Sequence, residues 1–450
     1  MQEITFREKG FLDALKGGPD RPIHLILIAT KPDIIKQVPL YKELKKRGHI
    51  VVLGHTGQHY DENLSGGMLK EFGVQPDFNL NVRGAMHDVV SQIIGRLGTI
   101  LAELKAAGKT VIPYIHGDTT TAMAGGNAGY CNGFASVHVE AGIRTLTPDY
   151  AAWHKLKPDS KDVKAYHKEF PTAWRAFLME KKNWARGSQE PYPEQFNTRA
   201  AEPASGIHLA PVELDREFLL SEGYSADRIF TVGNSVVDAT EEAMARASES
   251  TVFDRHPILA KGDFVRFCIH RRENCLSEHR FRAIYGAMKS LVQSGRTVLL
   301  INMIQTKSAF ERFGLQDDIA QLAKTHKNFI FTDVWTEYVD VIAAMSKAAV
   351  CATDSGSMQE EMNVMGIPCV TMRFGSDRSE SAMNGGNLIA PPIDADAIRS
   401  LIEFAWDHKE MKSAPKLYGK NVSATCVDAV EKVLKTGSVF RTDEERLGFA

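Results

Sequence analysis

Short apolar segments alternate with amphipathic stretches of helical period along the first part of the chain. The apolar segments are His24–Thr30, Ile50–Gly54, Thr110–Ile115, Ala135–Val139 and Ile229–Gly233. Continuous apolar runs of this length are typical of strands buried on both faces of a parallel sheet. Between them, the pattern predicts helices from Pro32 to about Arg47, over Asp88–Ala107 and from about Thr120. Strands that alternate with helices in this way predict βαβ units around a parallel sheet.

The same alternation returns in the second part, where the predicted strands are Phe264–Ile269, Thr297–Asn302, Asn328–Thr332, Ala348–Thr353 and Pro368–Met372. We therefore predict an α/β fold of two Rossmann-like, doubly wound domains that face a cleft. The length of 450 residues agrees with two domains. The predicted bounds are 1–233 for the N-terminal domain and 234–422 for the C-terminal domain. The tail, 423–450, contains a helix near Ser423–Lys435 that is expected to pack back on the first domain.

Residues 146–190 interrupt this alternation. They contain Trp153, Trp174 and Trp184, many lysines and no clear strand. We interpret them as a mostly helical insertion in the N-terminal domain. Additional packing or an oligomer contact is the favoured role, and a lid over the cleft is the alternative.

Composition and charge exclude several classes of function. The formal net charge of −2 gives no bulk attraction to nucleic acid or to an anionic membrane. The six cysteines are scattered without the spacing of a zinc site, so no metal is expected. The N-terminus lacks the apolar core of a signal peptide, and no apolar run reaches membrane-spanning length. The sequence therefore predicts a cytoplasmic location.

Polar side chains follow the predicted strands of the first domain, where doubly wound sheets bind their ligands. Lys31 and Lys36 lie in the first turn and first helix after the first strand, where they can meet phosphate. A solvated surface position is the alternative for both lysines. Asp118 follows a later strand as a candidate proton-transfer group, and a helix-capping role for Asp118 or Thr119 stays open.

Two further segments place charged residues directly after strands. Glu140 follows a strand of buried character and is a catalytic candidate, with an ion pair to Arg144 as the alternative. In the second domain His270, Arg271 and Arg272 form a basic cluster that suits a pyrophosphate. A solvated basic turn is the alternative reading of this cluster.

The start of another predicted helix in the second domain suits a diphosphate. Ser355, Gly356 and Ser357 can offer backbone N–H groups there, and Glu361 can accept hydrogen bonds from a ribose diol. The chain has neither the Gly-x-Gly-x-x-Gly fingerprint of a bound dinucleotide nor a Walker A motif. The sequence thus predicts a sugar-nucleotide site with carboxylates as proton handlers and without a cofactor.

Motifs from about Leu25 to Ile389 resemble those of the non-hydrolysing UDP-N-acetylglucosamine 2-epimerases, which share the two-domain architecture of the glycosyltransferase-B class. The motifs, in the order of that family, are TGQHYDENL (Thr56–Leu64), HGDTTT (His116–Thr121), HVEAGIRT (His138–Thr145), YPEQFN (Tyr192–Asn197), VGNSVVDA (Val232–Ala239), HRREN (His270–Asn274) and DSGSMQEE (Asp354–Glu361). The insertion separates two motifs that are normally close.

The resemblance implies roles for individual residues. Asp118, Glu140 and Glu194 match carboxylates that look catalytic in the family, and His270 matches a histidine near the diphosphate. The positions that match contacts to the sugar nucleotide or polar groups lining the cleft are Lys36, Gln58, Tyr338, Ser355, Gly356, Glu361 and Arg378. Relatives are commonly homodimers, so a homodimer is expected.

The implied reaction is the reversible conversion of UDP-N-acetylglucosamine to UDP-N-acetylmannosamine through elimination of UDP to a glycal and its re-addition. A hydrolysing epimerase that releases N-acetylmannosamine and UDP is the nearest alternative, beside an epimerase of a related UDP-acylamino sugar. A glycosyltransferase of the same architecture and a UDP-sugar sensor without turnover are weaker alternatives.

Several positions depart from the family pattern. Lys31 and Asp33 stand where the family has arginine and glutamate, and Ser376–Glu380 (SDRSE) replaces a threonine-glutamate-arginine-proline-glutamate run. Met303 begins a segment that replaces an expected histidine-proline pair. Lysine lacks the bidentate fork of arginine, so a phosphate contact at Lys31 is weakened. These departures favour a divergent branch with a modified acylamino sugar as substrate.

Overall fold

The computed structural model describes residues 4–57, 66–158 and 165–449, which divide into two units. Unit 1 comprises Met1–Ile143, Pro193–Ala239 and Tyr418–Ala450. Unit 2 comprises Arg144–Tyr192 and Thr240–Leu417. Each unit is an α/β fold around a mainly or wholly parallel sheet, as the alternating pattern predicts.

The strands of the described residues follow one another along the chain as short segments. They are β1 (Thr5–Phe6), β2 (Ile23–Ile28), β3 (Ile50–His55), β4 (Phe78–Asn79), β5 (Val111–His116), β6 (Ser136–Val139), β7 (Thr147–Pro148), β8 (Trp184–Ala185), β9 (Ser205–Ala210), β10 (Ile229–Thr231), β11 (Phe264–Cys268), β12 (Thr297–Ile301), β13 (Phe329–Thr332), β14 (Val350–Thr353), β15 (Cys369–Thr371) and β16 (Asn387–Ile389). β7 and β8 pair with each other as a separate antiparallel ribbon.

The helices fill the connections between these strands. Those of eight or more residues are Lys31–Lys46, Met86–Ala106, Thr120–Cys131, Phe170–Leu178, Glu194–Ala201, Glu213–Ser221, Val236–Ala245, Glu278–Gln293, Ile304–Arg312, Gln316–Thr325, Tyr338–Met345, Gly356–Met365, Ala395–Asp407 and Val422–Thr436. Shorter α-helices are Phe11–Gly17, Gly67–Glu71, Tyr150–Leu156, Val252–Arg255, Pro257–Ala260, Arg272–Cys275, Ser379–Met383, Lys409–Lys412 and Asp443–Leu447. None of the described helices has the length and apolarity that a bilayer crossing requires.

The sheet of unit 1 has the strand order β1-β4-β3-β2-β5-β6-β9-β10. Its pairings are parallel except for β1 with β4. All residues of β2, β5 and β6 are buried, which explains their nearly continuous apolar sequences. Because these three strands are neighbours, the residues that follow them meet at one edge of the sheet.

The sheet of unit 2 has the order β13-β12-β11-β14-β15-β16 and is parallel throughout. β11 and β14 are adjacent, and Cys268 pairs in register with Thr353. The segments that follow them, which begin at Ile269 and Asp354, are therefore neighbours. This places the two predicted diphosphate motifs of the second half side by side.

The insertion belongs to unit 2, which corrects the prediction that it is part of the N-terminal domain. The aromatic side chains of Trp153, Phe170 and Trp174 are buried in the same apolar core as residues of β11, β12, β14, β15 and β16. Leu146 also forms an antiparallel bridge with Ser376. The physical reason for the correction is this shared core, which a pattern of local periodicity does not reveal.

The boundary between the units also differs from the predicted one. Residues 234–239 and 418–422 lie in unit 1 rather than in the C-terminal domain. Asn234 N donates to the carbonyl oxygen of Tyr418 at 2.9 Å, and the Asp238 carboxylate accepts from the N–H groups of Val422 and Ser423 at 3.0 and 2.7 Å. These bonds hold the start of the helix Val422–Thr436 within unit 1.

Candidate functional site

Glu140 is the centre of a buried polar cluster at the carboxyl ends of β2, β5 and β6 in unit 1. Its Oε1 accepts from Lys36 Nζ at 2.6 Å and from Asn234 Nδ2 at 2.9 Å, and its Oε2 lies 2.7 Å from His116 Nε2. The other ring nitrogen of His116 lies 3.0 Å from Asp33 Oδ1. All five side chains are at most 5% exposed, so their charges interact at low dielectric.

The sequence folds Asp33 into this cluster through the turn that follows β2. Asp33 Oδ2 accepts from the N–H groups of Ala29 and Thr30 at 3.1 and 3.0 Å. These contacts close the first turn of the helix Lys31–Lys46 and leave Asp33 Oδ1 for His116. Lys36 follows on the same helix and is 2% exposed, so the surface interpretation of this lysine is wrong.

The backbone at Glu140 is unusual. Its φ of 65° is in the left-handed region, which costs free energy for a residue that has a Cβ. Ala141 N donates to Leu209 O at 3.0 Å, and Gly142 N donates to the Glu202 carboxylate at 2.7 Å. These bonds hold the turn in a conformation that directs the Glu140 carboxylate at Lys36. Strained backbone maintained in this way is typical of functional sites.

Burial alone would lower the pKa of His116, but the neighbouring Glu140 and Asp33 carboxylates raise it to about 9. His116 is therefore a cation at neutral pH. Together with Lys36 it balances the two carboxylates, so the cluster has two positive and two negative charges. This balance explains how four ionisable groups are buried together.

The pKa of His116 predicts a pH dependence of stability. The folded-state pKa exceeds the unfolded value of about 6.5, so protonation of His116 stabilises the fold below about pH 6.5, and this contribution is lost as the pH rises through about 9. The shift corresponds to about 3 kcal/mol. Chemical denaturation of the wild type and of His116→Gln between pH 6 and 10 measures it as the difference between the two curves. An NMR titration of the His116 ring with a midpoint near 6.5 would contradict the prediction.

Gly117 gives the Glu140 carboxylate room. Its φ is 59°, and a Cβ at this position would lie 2.9 Å from Glu140 Oε2. We expect Gly117→Ala to lower kcat for the reaction at this site by at least about tenfold, because the carboxylate must move away from His116. Gly108→Ala is the matched control: its φ is 75°, with nothing within 4 Å of the new Cβ. Equal kcat values for the two variants would show that the contact between the new Cβ and the Glu140 carboxylate does not affect kcat.

Glu202 connects the segments that follow β5 and β6. The fully buried carboxylate lies 3.0 Å from His138 Nδ1, 2.8 Å from His208 Nδ1 and 2.7 Å from Gly142 N. His138 Nε2 lies 2.8 Å from Gly117 O, so this ring bridges Gly117 and Glu202. Burial alone would raise the pKa of Glu202, but the two histidines hold it well below its usual range. Glu202 thus fixes both Gly117 and the turn after Glu140.

The structure places the two remaining predicted carboxylates of unit 1 on neighbouring segments. Asp118 is half-buried, and its carbonyl oxygen accepts from Asn197 Nδ2 at 3.1 Å. The capping role falls to Thr119, whose Oγ1 accepts from Ala122 N at 3.0 Å, and not to Asp118. Glu194 is half-buried at the start of the helix Glu194–Ala201, which also carries Asn197.

The other two predicted ligand-binding residues of unit 1 are Lys31 and Gln58. Lys31 is the first residue of its helix and is half-buried, and burial lowers its pKa. Gln58 lies outside the described residues, so its prediction stays open.

In unit 2, Asp354 organises the end of β11. Its carboxylate accepts from the backbone N–H groups of His270 and Arg271 at 3.0–3.1 Å and from Asn274 Nδ2 at 3.1 Å. Its Oδ1 also lies 3.2 Å from His270 Nδ1. Burial alone would lower the pKa of His270, but Cys268 and Asp354 raise it to about 10. The ring is therefore a cation with a quarter of its side chain exposed, which suits an anionic ligand.

The helix Gly356–Met365 begins beside this cation. Ser355 is its N-cap residue, and a Cβ built on Gly356 would lie 3.5 Å from Arg271 Nη2 and 3.3 Å from Asp377 Oδ2. Ser357 follows in the first turn and is half-buried. The predicted residues Arg271, Ser355, Gly356 and Ser357 therefore lie together at a helix N-terminus, a geometry that attracts phosphate.

Arg378 is buried and paired with carboxylates of its own unit. Its Nε donates to Glu360, and its Nη1 lies 3.5 Å from Asp377 Oδ2. Asp377 also accepts from Arg373 Nη1 at 2.7 Å. Burial alone would raise the pKa of Asp377, but Arg373 and Arg378 hold it far below its usual range. The Asp377 carboxylate of this ion-pair group lies next to Gly356.

Tyr338 and Glu361, predicted separately as residues of the sugar-nucleotide site, are in direct contact. The Tyr338 hydroxyl donates to Glu361 Oε1 at 2.9 Å and lies 3.1 Å from Thr240 Oγ1. Both residues are at most 5% exposed. The two predicted residues therefore belong to one buried polar group.

Sequence reasoning missed several residues of these clusters as site members: Asp33, His116, Asn234, Glu202, His138, Asp354, Arg373 and Asp377. Most of them stand inside or next to the quoted motifs. A polar residue beside the apolar residues of a predicted strand is a signal that could have identified them as site members. Their partners are distant in sequence: His116 and Asp33 are separated by 83 positions.

Two groups among the described residues bring metal-ligating atoms close together. They are His138, Glu202 and His208 in unit 1, and Cys268, His270 and Asp354 in unit 2. In the first group the distances between nitrogen and oxygen are those of direct hydrogen bonds, and the residues are at most 2% exposed. Protons rather than a metal ion account for that geometry.

Comparison with known proteins agrees with this architecture. The family model described as UDP-N-acetylglucosamine 2-epimerase matches residues 42–150 and 186–431, and the unmatched stretch between them falls in the insertion. UDP-N-acetylglucosamine 2-epimerases of Methanocaldococcus jannaschii and Bacillus subtilis are 24% and 26% identical to this chain. The alignments cover 81% of this chain and 87% of the former relative, and 88% of this chain and 91% of the latter.

Solved structures show the same fold. The Methanocaldococcus jannaschii UDP-GlcNAc 2-epimerase in complex with UDP-GlcNAc and UDP has a TM-score of 0.73 at 23% identity, covering 91% of this chain and 99% of that one. The Neisseria meningitidis enzyme bound to UDP-GlcNAc has a TM-score of 0.72 at 22% identity, covering 92% and 100%. Because the family model matches more than half of the sequence, this chain belongs to the UDP-N-acetylglucosamine 2-epimerase family.

Proposed function

We propose that the protein interconverts UDP-N-acetylglucosamine and UDP-N-acetylmannosamine by eliminating UDP to a glycal and adding it back, without net hydrolysis. The observation that carries the proposal is the buried Glu140 cluster with Lys36 and His116. It holds a carboxylate at the edge of the parallel sheet, where ligands of such folds bind.

The hydrogen on carbon 2 is not acidic, because no carbonyl group is adjacent to that carbon. Elimination solves this problem: a base takes the carbon-2 proton while the bond from carbon 1 to UDP breaks. Re-addition of UDP with protonation on the opposite face of carbon 2 inverts the centre. At least two proton-transfer groups are needed, and we assign them to Asp118, Glu140 and Glu194.

The departing UDP carries negative charge that must be stabilised. We assign this task to unit 2, where the protonated His270, the Arg271 guanidinium and the N-terminus of the helix Gly356–Met365 lie together. The Glu361 carboxylate, oriented by Tyr338, is assigned to the ribose. Lys31 and Arg378 are assigned to the remaining charge of the nucleotide. The homodimeric state and the cytoplasmic location remain part of this proposal, and light scattering tests the first.

Proton NMR of the purified protein with UDP-N-acetylglucosamine in deuterated water tests the reaction. We expect deuterium at carbon 2 together with signals of UDP-N-acetylmannosamine. Release of free N-acetylmannosamine and UDP would instead identify a hydrolysing epimerase. Binding without exchange would contradict turnover of this substrate, and a panel of UDP-acylamino sugars then identifies the sugar that is inverted.

A further inference from the structure

Three side chains of unit 2 bring soft donor atoms together beside Asp354. Cys268 Sγ lies 3.4 Å from His270 Nδ1 and 3.9 Å from Met303 Sδ. Cys268 ends β11, His270 follows it by two residues, and Met303 precedes the helix Ile304–Arg312. Two further donor atoms therefore lie within 4 Å of the Cys268 sulfur.

Hydrogen bonding does not explain the approach of Cys268 to Met303. A thioether is a weak acceptor and a thiol a weak donor, so the approach of Cys268 to Met303 gains little from a hydrogen bond. Met303 also stands where the family pattern has a histidine-proline pair. The reaction assigned above uses neither sulfur atom.

We propose that Cys268, Met303 and His270 form a binding site for a soft monovalent cation of the Cu(I) class. Thiolate, thioether and imidazole are the donors that such cations prefer. With metal–sulfur and metal–nitrogen bonds of about 2.3 and 2.0 Å, the observed separations correspond to angles of about 115° between the sulfurs and about 105° between sulfur and nitrogen. These angles suit trigonal or tetrahedral coordination with little movement of the side chains.

The surroundings favour a monovalent over a divalent ion. A divalent ion brings twice the positive charge of a monovalent ion close to the guanidinium of Arg266, which is buried two residues before Cys268 on the same strand.

Asp354 is not needed as a ligand. Its oxygens already accept from the N–H groups of His270 and Arg271 and from Asn274. Replacing these bonds by a metal bond would release the turn after β11. The donor set is therefore two sulfurs and one nitrogen, which distinguishes this site from a zinc site built on a carboxylate.

Anaerobic competition with the Cu(I)–bicinchoninate complex tests the site in the full-length protein carrying Cys131→Ser, which removes the exposed cysteine. We expect one equivalent of Cu(I) to be withdrawn from the complex. Adding Cys268→Ser should abolish this uptake, and Met303→Leu and His270→Gln should each weaken it by at least about tenfold. Cys275→Ser is the matched control, because Cys275 is a buried cysteine of the same unit.

Other outcomes overturn the proposal. Uptake that persists in Cys268→Ser would place the metal elsewhere. Uptake that is lost in Cys268→Ser but unchanged in both Met303→Leu and His270→Gln would show that a single thiol binds the metal. It would exclude the proposed site of three donors. Stoichiometric Zn²⁺ binding that is lost in Asp354→Asn, with Cu(I) ignored, would assign the cluster to a harder divalent ion. Because these readouts are binding measurements, they stand whether or not the proposed epimerase reaction is confirmed.

Discussion

Glu140→Gln is expected to reduce carbon-2 inversion and carbon-2 solvent exchange by at least about 10³-fold, while UDP is still bound. The amide cannot accept a proton from the substrate, and it also removes the negative charge between Lys36 and His116. UDP binding persists because Glu140 is not among the residues assigned to UDP. Single-turnover kinetics measure the first effect, and calorimetry with UDP measures the second.

The same variant has a second readout that does not depend on the substrate. Glu140 is the largest contribution that raises the pKa of His116, so its loss should lower that pKa from about 9. Glu213→Gln is the matched control in the same unit, because the Glu213 side chain is 61% exposed. If Glu140→Gln kept activity within tenfold of the wild type, the proton-transfer roles would pass to Asp118 and Glu194.

Most of the longer strands of both sheets were predictable because they are buried on both faces. The pattern placed β2, β5, β6, β11, β12 and β14 to within two residues of their observed bounds. β9 escaped prediction because His208 interrupts its apolar sequence, and the structure buries this ring by pairing it with Glu202. β1, β4 and β16, with two or three residues each, also escaped prediction, whereas apolar residues beyond the ends of β10 and β15 revealed those three-residue strands.

The candidate site was predictable only in part, and for a related reason. Motifs at strand ends identified Glu140 and Lys36 separately, but their ion pair joins residues 104 positions apart. The balance of charge that stabilises them requires Asp33 and His116, which pattern reasoning treats as a helix-start residue and a strand residue. Pairings of this kind follow from sheet order, since β2, β5 and β6 are neighbours, and sheet order is not written in local sequence.

One departure from the family pattern acquires a structural explanation. Asp377 replaces the family's glutamate in the SDRSE segment, yet it still accepts from Arg373 and lies 3.5 Å from Arg378. The shorter acid therefore keeps the ion-pair group beside Gly356. This replacement alone gives no reason to expect a loss of nucleotide binding.

The insertion, by contrast, is part of the hydrophobic core of unit 2 and is not an appendage to it. Trp174 is fully buried, its Nε1 donates to Ile389 O at 2.7 Å, and its ring stacks on Phe177 and meets Trp153 edge-on. Ile389 ends β16, so the insertion is bonded to the edge strand of the unit 2 sheet.

We therefore expect Trp174→Ala to lower the free energy of unfolding of unit 2 by about 4 kcal/mol, from the lost apolar contacts, the cavity and the unpaired carbonyl group. Guanidinium unfolding followed by circular dichroism measures the loss. Trp406→Ala removes a half-buried tryptophan of the same unit and should cost far less. A lid that only covers a ligand would give the opposite result, with stability unchanged and ligand affinity reduced. The burial of Trp174 in the core that carries β11 and β14 argues for the first outcome, because those strands also position His270 and Asp354.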